Sequence, residues 1–380
     1  MRVLVVPDRC ADLPSTQVAR LVADGWSECN PEVEVDRLPM PTGDWGFVSA
    51  VTETVGGRLE PVTATDAWGR AAPCTLLVTE QDGERTVYLE ASQVAGLPMA
   101  GCRELPAPLG TYGVGQLIAS ALDMGATRLV VGIGGLATLD GGHGAIAALA
   151  GRAAGEECDP ATDLPAARAR VHGVGMTVPV STDPTLLGMQ GACAGAVEDL
   201  GLTREQAQQR EQEMGEYVDL ARRVVPERTD LLSGAGRRMD RQPGAGAGGG
   251  LGYALALLDG ILTPGPAFGG ALVGLADAVG RADLVVTVTR RFDWRVLEHS
   301  VLKEVTSTAA AAARPVVVLA DEIEVGKREQ MSLGVNGAYA LTSPDPRIAQ
   351  AHGTSDLQGL QALARRVAGT WTPPGPRDVP

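Results

Sequence analysis

The residues best equipped for chemistry lie in one stretch, Arg128–Gly144 (RLVVGIGGLATLDGGHG). Leu129–Ile133 reads as a buried strand, after which the chain breaks into Gly134-Gly135, Thr138, Asp140 and Gly141-Gly142. An alanine-rich helix follows at once. Strand, glycine turn and helix in this order build an anion site: glycines permit positive φ and close backbone approach, and the free N–H groups of the first helical turn point at the ligand. Gly134, Gly135, Thr138, Gly141 and Gly142 are therefore candidates for holding phosphate. Asp140 sits where such a loop would hold a metal ion or receive a proton, which makes it a candidate catalytic carboxylate. A tight structural turn with an aspartate cap uses the same residue types, and spacing alone leaves both readings open. His143, heading the helix, reads as incidental.

Three other places carry candidates. Pro243-GAGAGGG-Leu251 sets seven consecutive Gly or Ala residues before an apolar helix. Backbone approaching a ligand through Gly248, Gly249 and Gly250 would need this, and so would a hinge or a close helix contact. Asp183 follows the apolar strand Met176–Val180 and precedes Pro184, as a catalytic carboxylate or as the start of a plain turn. Thr289-Arg290-Arg291-Phe292-Asp293 ends the strand Asp283–Val288. There Asp293 could act as base or substrate ligand with Arg291 beside it, or the two could form a structural ion pair. Asp8 closes the first strand. No cysteine and histidine share a zinc-type spacing, so the ligands of any metal stay open.

Positioning these residues takes an α/β scaffold. Arg2–Pro7 and Val33–Leu38 read as strands around a helix that ends near Ser27, and Phe47–Thr54 as a short helix. That opening favours a parallel sheet with functional loops at its strand C-terminal ends. Arg58–Ala64, Pro73–Glu80 and Thr86–Ala91 then read as antiparallel strands, with Asp82-Gly83 as a hairpin turn. Thr203–Val225 is a long charged helix opened by a capping box of Thr203 and Gln206. A second β-α-β-α run closes the chain from Asp283 to Ala368. We therefore expect a doubly wound, Rossmann-like parallel-sheet domain from residues 1–60 plus 281–370. A second, mixed α/β domain, 61–280, is inserted in it, and 371–380 form a disordered tail.

Composition agrees. The 380 residues suffice for two substantial cores. Hydrophobic residues make up 44% but aromatic ones only 3%, so the cores must be built from Val, Leu and Ala, as in parallel sheets covered by helices. A formal charge of −14 argues against nucleic acid as a partner, since phosphate-backbone contact needs a basic surface. Six cysteines without a CxxC fit the reduced thiols of a cytoplasmic protein. The N-terminal apolar run is too short for a signal peptide and no segment approaches the length of a membrane span, so no membrane partner is expected. The oligomeric state stays open.

Taken together, the motifs resemble the bacterial glycerate kinase family, the ATP-dependent type. Val5-Val6-Pro7-Asp8 matches that family's opening strand and Pro-Asp, and Thr111-Tyr112-Gly113-Val114-Gly115-Gln116 is similar to its Thr-Tyr-Gly-Thr-Gly-Glu. Gly132–Gly142 is similar to Gly-Ile-Gly-Gly-Ser-Ala-Thr-Asn-Asp-Gly-Gly, and Pro243–Gly252 to Pro-Gly-Ala-Gly-Ala-x-Gly-Gly-Leu-Gly. The resemblance spans nearly the whole chain in the right order. It implies two α/β domains, one inserted in the other, and transfer of the ATP γ-phosphate to a hydroxyl of glycerate or a similar small hydroxy acid, with ATP as co-substrate and Mg2+. On that reading Asp140, Asp183 and Asp293 are the catalytic candidates. Gly134, Gly135, Thr138, Gly141 and Gly142 hold the nucleotide, and Asp8, Gly248, Gly249, Gly250 and Arg291 face the substrate.

Several polar positions of the family pattern are replaced. Arg9-Cys10-Ala11-Asp12 stands for Ser-Phe-Lys-Gly, Thr42–Gly46 for Asp-Gly-Gly-Glu-Gly, and Leu136 and Leu139 for the Ser and Asn of the glycine motif. Thr287–Val296 keeps only the threonine, arginine and aspartate of Thr-Gly-Glu-Gly-Arg-Leu-Asp-x-Gln-Thr. Phosphoryl transfer needs positive charge on the transferring phosphate and a carboxylate-held Mg2+, and losing one such contact costs on the order of 10²–10³ in rate. Scaffold glycines are kept while polar side chains are lost. The alternative is thus a catalytically impaired relative that binds a small anion or nucleotide or acts through a partner.

Overall fold

The computed structural model describes residues 1–10, 13–96, 110–226, 228–229, 236–297, 300–341 and 357–372. In chain order the strands are β1 (Arg2–Val5), β2 (Glu34–Arg37), β3 (Arg58–Thr65), β4 (Ala71–Gln81), β5 (Glu84–Glu90), β6 (Arg128–Gly132), β7 (Gly175–Val180), β8 (Arg228–Thr229), β9 (Gly236–Arg237), β10 (Ile261–Pro264), β11 (Leu284–Phe292), β12 (Val316–Ile323) and β13 (Val335–Ala340). The chain divides into two compact units, Met1–Pro41 with Ser49–Val55 and Pro266–Pro380, and Thr42–Val48 with Gly56–Gly265.

The first unit holds a sheet of order β13-β12-β11-β1-β2, parallel throughout. Strand side chains alternate between two faces, and both are apolar. Val3, Val5, Leu284, Val286, Val317 and Leu319 pack with Val18, Val22 and Trp26 of the helix Ser15–Cys29 and with Leu360, Leu363 and Val367 of the helix Leu357–Trp371. Leu4, Val6, Val285, Val316 and Val318 cluster instead with Leu275 and Val279 and with Val301, Leu302 and Val305, from the helices Leu275–Arg281 and Val301–Ala311. Burial on both faces is what a doubly wound parallel sheet requires. From β1 the chain moves to β2 on one side, and from β11 to β12 and β13 on the other. The C-terminal ends of β1 and β11 therefore flank the switch point, where such sheets bind ligands.

The second unit holds a mixed sheet of order β10-β7-β6-β5-β4-β3, with β5, β6, β7 and β10 parallel and β3, β4 and β5 antiparallel. Asp82 (φ 52°) and Gly83 (φ 83°) supply the two positive φ values of a tight hairpin turn between β4 and β5. The core gathers Leu76 and Leu89 of the sheet with Leu117 and Ile118 of the helix Tyr112–Asp123 and Leu255 and Leu257 of the helix Leu251–Leu257. The charged helix Arg204–Val224 has the expected capping box and buries Met214, Tyr217, Val218 and Ala221. β8 and β9 form a two-stranded ribbon.

The borders differ from those read off the sequence. The chain returns to the first unit at Pro266 rather than at 281: Val273, Leu275 and Val279 pack with the first sheet, and only the preceding β10, paired with Thr177–Val180 of β7, stays with the second unit. A four-residue strand closed by Pro264 carries too little pattern to be seen beforehand. Thr42–Val48 and the start of β3 also belong to the second unit rather than to the first. At the other end, Trp26 Nε1 donates to Thr372 Oγ1 at 2.9 Å and Asn30 Nδ2 to the Thr372 carbonyl at 3.2 Å, so Trp371 and Thr372 are held rather than loose. Residues 373–380 of the expected tail lie outside the described residues. No helix among the described residues is long and apolar enough to cross a membrane.

Candidate functional site

In the second unit the two glycine runs interlock. Thr138 Oγ1 donates to the Gly248 carbonyl at 2.7 Å, and Gly141 N–H to the Gly249 carbonyl at 3.0 Å. A Cβ on Gly249 would collide with the Thr138 carbonyl, one on Gly142 with the Ala254 side chain, and one on Gly250 would lie 2.6 Å from Gly141 Cα. All three glycines have positive φ. These positions are glycine because the opposing run passes through the space a side chain would take. Leu139 is buried in the core and Leu136 packs on it, with its Cδ1 2.8 Å from where a Gly248 Cβ would stand. Leu136 thus sets apolar surface against the second run.

Asp140 locks the loop internally. Its Oδ1 accepts from Gly142 N–H at 3.0 Å. Its Oδ2 accepts from Thr111 N–H at 2.8 Å, Thr111 Oγ1 at 2.9 Å and Gly144 N–H at 3.2 Å. Thr111 is fully buried, and its hydroxyl also accepts from Ala145 N–H at 3.0 Å. One carboxylate therefore serves the N-terminal turns of two helices, Tyr112–Asp123 and His143–Leu149, whose orphan donors favour a negative partner. Behind it the His143 ring meets Tyr217 edge-on, centroids 3.8 Å apart. His143 Nε2 and the Tyr217 hydroxyl are buried without hydrogen-bond partners among the described residues. Burial holds the His143 imidazole below its ordinary value, with Asp140 and Glu213 pulling the other way, and pushes the Tyr217 phenol well up.

The segment Thr42–Val48 lies along the C-terminal ends of β6 and β7. Gly134 N–H donates to the Gly43 carbonyl at 2.8 Å. A Cβ on Gly132 would lie 3.0 Å from Gly43 Cα, one on Gly134 2.8 Å from Asp44 Cα and 2.7 Å from Ser181 Oγ, and one on Gly135 would strike the Asp44 carboxylate. Glu90, at the end of β5 and only 4% exposed, accepts from Gly46 N–H at 2.9 Å, Val48 N–H at 3.1 Å and the Ser92 hydroxyl. Burial raises the Glu90 carboxyl above its ordinary value, with Asp44 adding to the rise, against the three donors that favour the charge. Asp183 follows β7 and is exposed, while the next carbonyl, of Pro184, accepts from Gly246 N–H at 2.9 Å. The sequence candidates Gly134, Gly135, Thr138, Asp140, Gly141, Gly142, Gly248, Gly249 and Gly250 are thus brought into one knot. Glu90, Asp44 and Thr111 belong to it as well, and the candidate set omits them. Glu90 leaves a trace in the sequence, as a lone acid closing the apolar strand TVYLE.

In the first unit the ends of β1 and β11 lie side by side: Asp8 N–H donates to the Val288 carbonyl at 3.1 Å. Cys10 Sγ donates to Asp321 Oδ1 at 3.5 Å. Burial, then the neighbouring carboxylates, push the Cys10 thiol up to about 12, which removes it as a nucleophile; Arg290 opposes the rise. Burial also raises Asp321, against Cys10 and Arg290. Asp8, Cys10, Arg290 and Asp321 so form one polar group at the switch point, and Asp293, 6% exposed, follows β11. β11 continues through Phe292, past the end expected at Val288, and its register sets Arg291 opposite Glu322. The Arg291 guanidinium pairs with Glu322 at 3.0 Å and Glu324 at 3.4 Å. β12 and the residue just after its end thus set two acids beside Arg291.

The sequence pattern described as the glycerate kinase family matches residues 3–372. The chain belongs to the glycerate kinase family. It is similar to the glycerate kinase of Bacillus subtilis, with 27% identity over 90% of each chain. An uncharacterised protein of Mycobacterium bovis is 33% identical over 99% of this chain and 94% of its own. A solved structure of Salmonella typhimurium LT2 described as a glycerate kinase 2 shares the fold, with a TM-score of 0.72, 24% identity, and coverage of 97% of this chain and 98% of that one. The α/β expectation and the family resemblance both stand.

Proposed function

We propose that this chain is an ATP-dependent kinase that transfers the γ-phosphate to a hydroxyl of glycerate or a similar small hydroxy acid in the cytoplasm. The observation that carries the reading is the family match along residues 3–372, which takes in both units and every loop described above. On this reading the backbone of Gly134-Gly135 and of Thr138–Gly142, in the second unit, faces the nucleotide phosphates, and Asp183 is the exposed carboxylate that follows β7. Asp140 acts as a positioning residue that fixes this loop through its four donors. In the first unit, Asp8 and Asp293 offer carboxylates and Arg290 a cation at the switch point.

Mg2+ bound by a nucleotide needs one or two protein carboxylates rather than a cage of them. Among the described residues no three His, Cys, Asp or Glu side chains gather in a group able to hold a metal alone. Bound there, Mg2+ would supply charge neutralisation at the phosphates.

A second reading, binding without turnover, is favoured by one observation: the chain's own backbone fills the space beside its motif glycines, and its own donors take both Asp140 oxygens. ADP release coupled to D-glycerate in the presence of Mg2+, run alongside calorimetry with ATP, separates the two. Glycerate-dependent turnover supports the kinase. Binding without turnover supports the impaired relative, and neither binding nor turnover contradicts both.

A further inference from the structure

Glu90 is a carboxylate with an assignment to explain. It is 4% exposed and closes β5 on the strand face it shares with Tyr88, while Val87 and Leu89 on the other face are core. A buried carboxylate survives when donors satisfy it. Its donors come from Gly46 and Val48, which are remote in sequence, and from Ser92 close by. Gly46 and Val48 flank the start of the helix Phe47–Val55, so Glu90 caps from a distant strand a helix whose first turn holds no acid of its own. The same segment reaches back to β6 through the Gly43 carbonyl and Gly134 N–H. In register, Glu90 stands opposite Gly132, the last residue of β6. Three pieces of chain, the ends of β5 and β6 and Thr42–Val48, are therefore tied at one place, and Asp44 lies in the tie with its carboxylate against Gly135.

We propose that Glu90 is a positioning residue that holds Thr42–Val48 across the end of β6 and so keeps the Asp44 carboxylate beside Gly134-Gly135 during phosphoryl transfer. The reaction half of this statement rests on the kinase reading; the structural half does not. Asp44 accepts from Trp45 N–H at 2.7 Å, so its carboxylate is oriented by the same loop that Glu90 restrains. Releasing the loop changes where that charge sits relative to the glycines without altering the glycines themselves.

The test is hydrogen exchange of the whole chain, read by mass spectrometry, for wild type, Glu90→Gln and Glu90→Ala, with ATP and glycerate kinetics on the same samples. Glu90→Gln keeps one acceptor for two backbone donors and Glu90→Ala keeps none. Exchange in peptides covering Thr42–Val48 is expected to speed up at least about tenfold in Glu90→Ala and less in Glu90→Gln, while peptides of β11 and β12 keep wild-type protection. In an active protein kcat falls at least about tenfold in Glu90→Ala, with KM for ATP held within about threefold and partial rescue by Glu90→Gln. Unchanged exchange over Thr42–Val48 in a folded variant overturns the positioning claim. A loosened loop with wild-type kcat overturns its part in the reaction. If wild type shows no turnover, the kinase reading and the reaction half fall together, and exchange still decides whether Glu90 holds the loop. If Glu90→Ala does not fold, Glu90→Gln carries the same comparisons.

Discussion

Past the end of β6, in the second unit, the loop is rich in glycines, and backbone from Thr42–Val48 and Gly244–Gly250 occupies the space beside them. At the ends of β1 and β11, in the first unit, the positions are Asp8, Arg9, Cys10, Arg290 and Asp293. The second region is a knot whose polar atoms satisfy one another: Asp140 alone takes four donors. The first is a group of unlike charges gathered where a doubly wound sheet binds ligands. A glycine-rich motif therefore reports two things at once, a surface that a ligand can approach and a backbone packed too closely for side chains. Here packing accounts for most of the glycines, and the charged chemistry of the first unit is left to individual side chains.

The largest effect should come from breaking the knot. Gly249→Ala places a Cβ against the Thr138 carbonyl at a φ of 61°. We expect a loss of roughly 3–5 kcal/mol or no folded protein, measured by thermal or urea unfolding. Gly151→Ala is the matched control, with φ 85° and open space around its Cβ, and should cost only about 1–2 kcal/mol. Equal losses at the two positions would show that backbone conformation, and not the interlock, explains the glycines.

Next comes the clamp. Asp140→Ala leaves the part-buried N–H groups of Thr111, Gly142 and Gly144 without their acceptor. It is expected to cost roughly 2–3 kcal/mol, with Asp140→Asn costing less because one acceptor remains. In an active protein both should also lower turnover at least about tenfold, since the phosphate loop moves with its clamp. A variant that loses activity at wild-type stability would return Asp140 to direct chemistry.

A smaller effect should appear with pH. Burial holds the folded-state value of His143 below the ordinary 6.5. As pH falls through 6.5 the unfolded chain takes up this proton first, so stability present above that point is lost toward acid pH. His143→Phe removes the proton site and keeps the ring against Tyr217. Unfolding between about pH 8 and 5 should show wild type losing more stability than the variant, and parallel curves would mean that the imidazole titrates normally. The smallest effect belongs to Arg291→Ala. Its exposed pairs with Glu322 and Glu324 should be worth less than about 1 kcal/mol. Because these acids engage the guanidinium, KM for glycerate should stay within about twofold, whereas a tenfold rise would make Arg291 a substrate contact.

Much of this architecture is legible in the sequence. Alternating apolar residues and the Asp82-Gly83 turn announce the strands, and Thr203 with Gln206 announces the long helix. The order of the motifs is enough to show the family. What is not legible is which piece of chain meets each glycine. Gly142 and Ala254 are far apart in sequence, as are Gly135 and Asp44, and no local pattern encodes such a meeting. The same gap hides Glu90, whose donors lie more than forty residues earlier. The acids beside Arg291 are hidden for a different reason: β11 runs on through Phe292, and strand register, not chain neighbourhood, sets Arg291 opposite Glu322.

The proposed kinase activity is the reading most open to direct test. Product analysis by phosphorus NMR of the intact chain with ATP, Mg2+ and D-glycerate tests it most directly. The account predicts a phosphorylated glycerate appearing in equal amount with ADP, and neither forming above background when glycerate is omitted. ADP formed at the same rate without glycerate, or ATP bound and left intact in its presence, would contradict it.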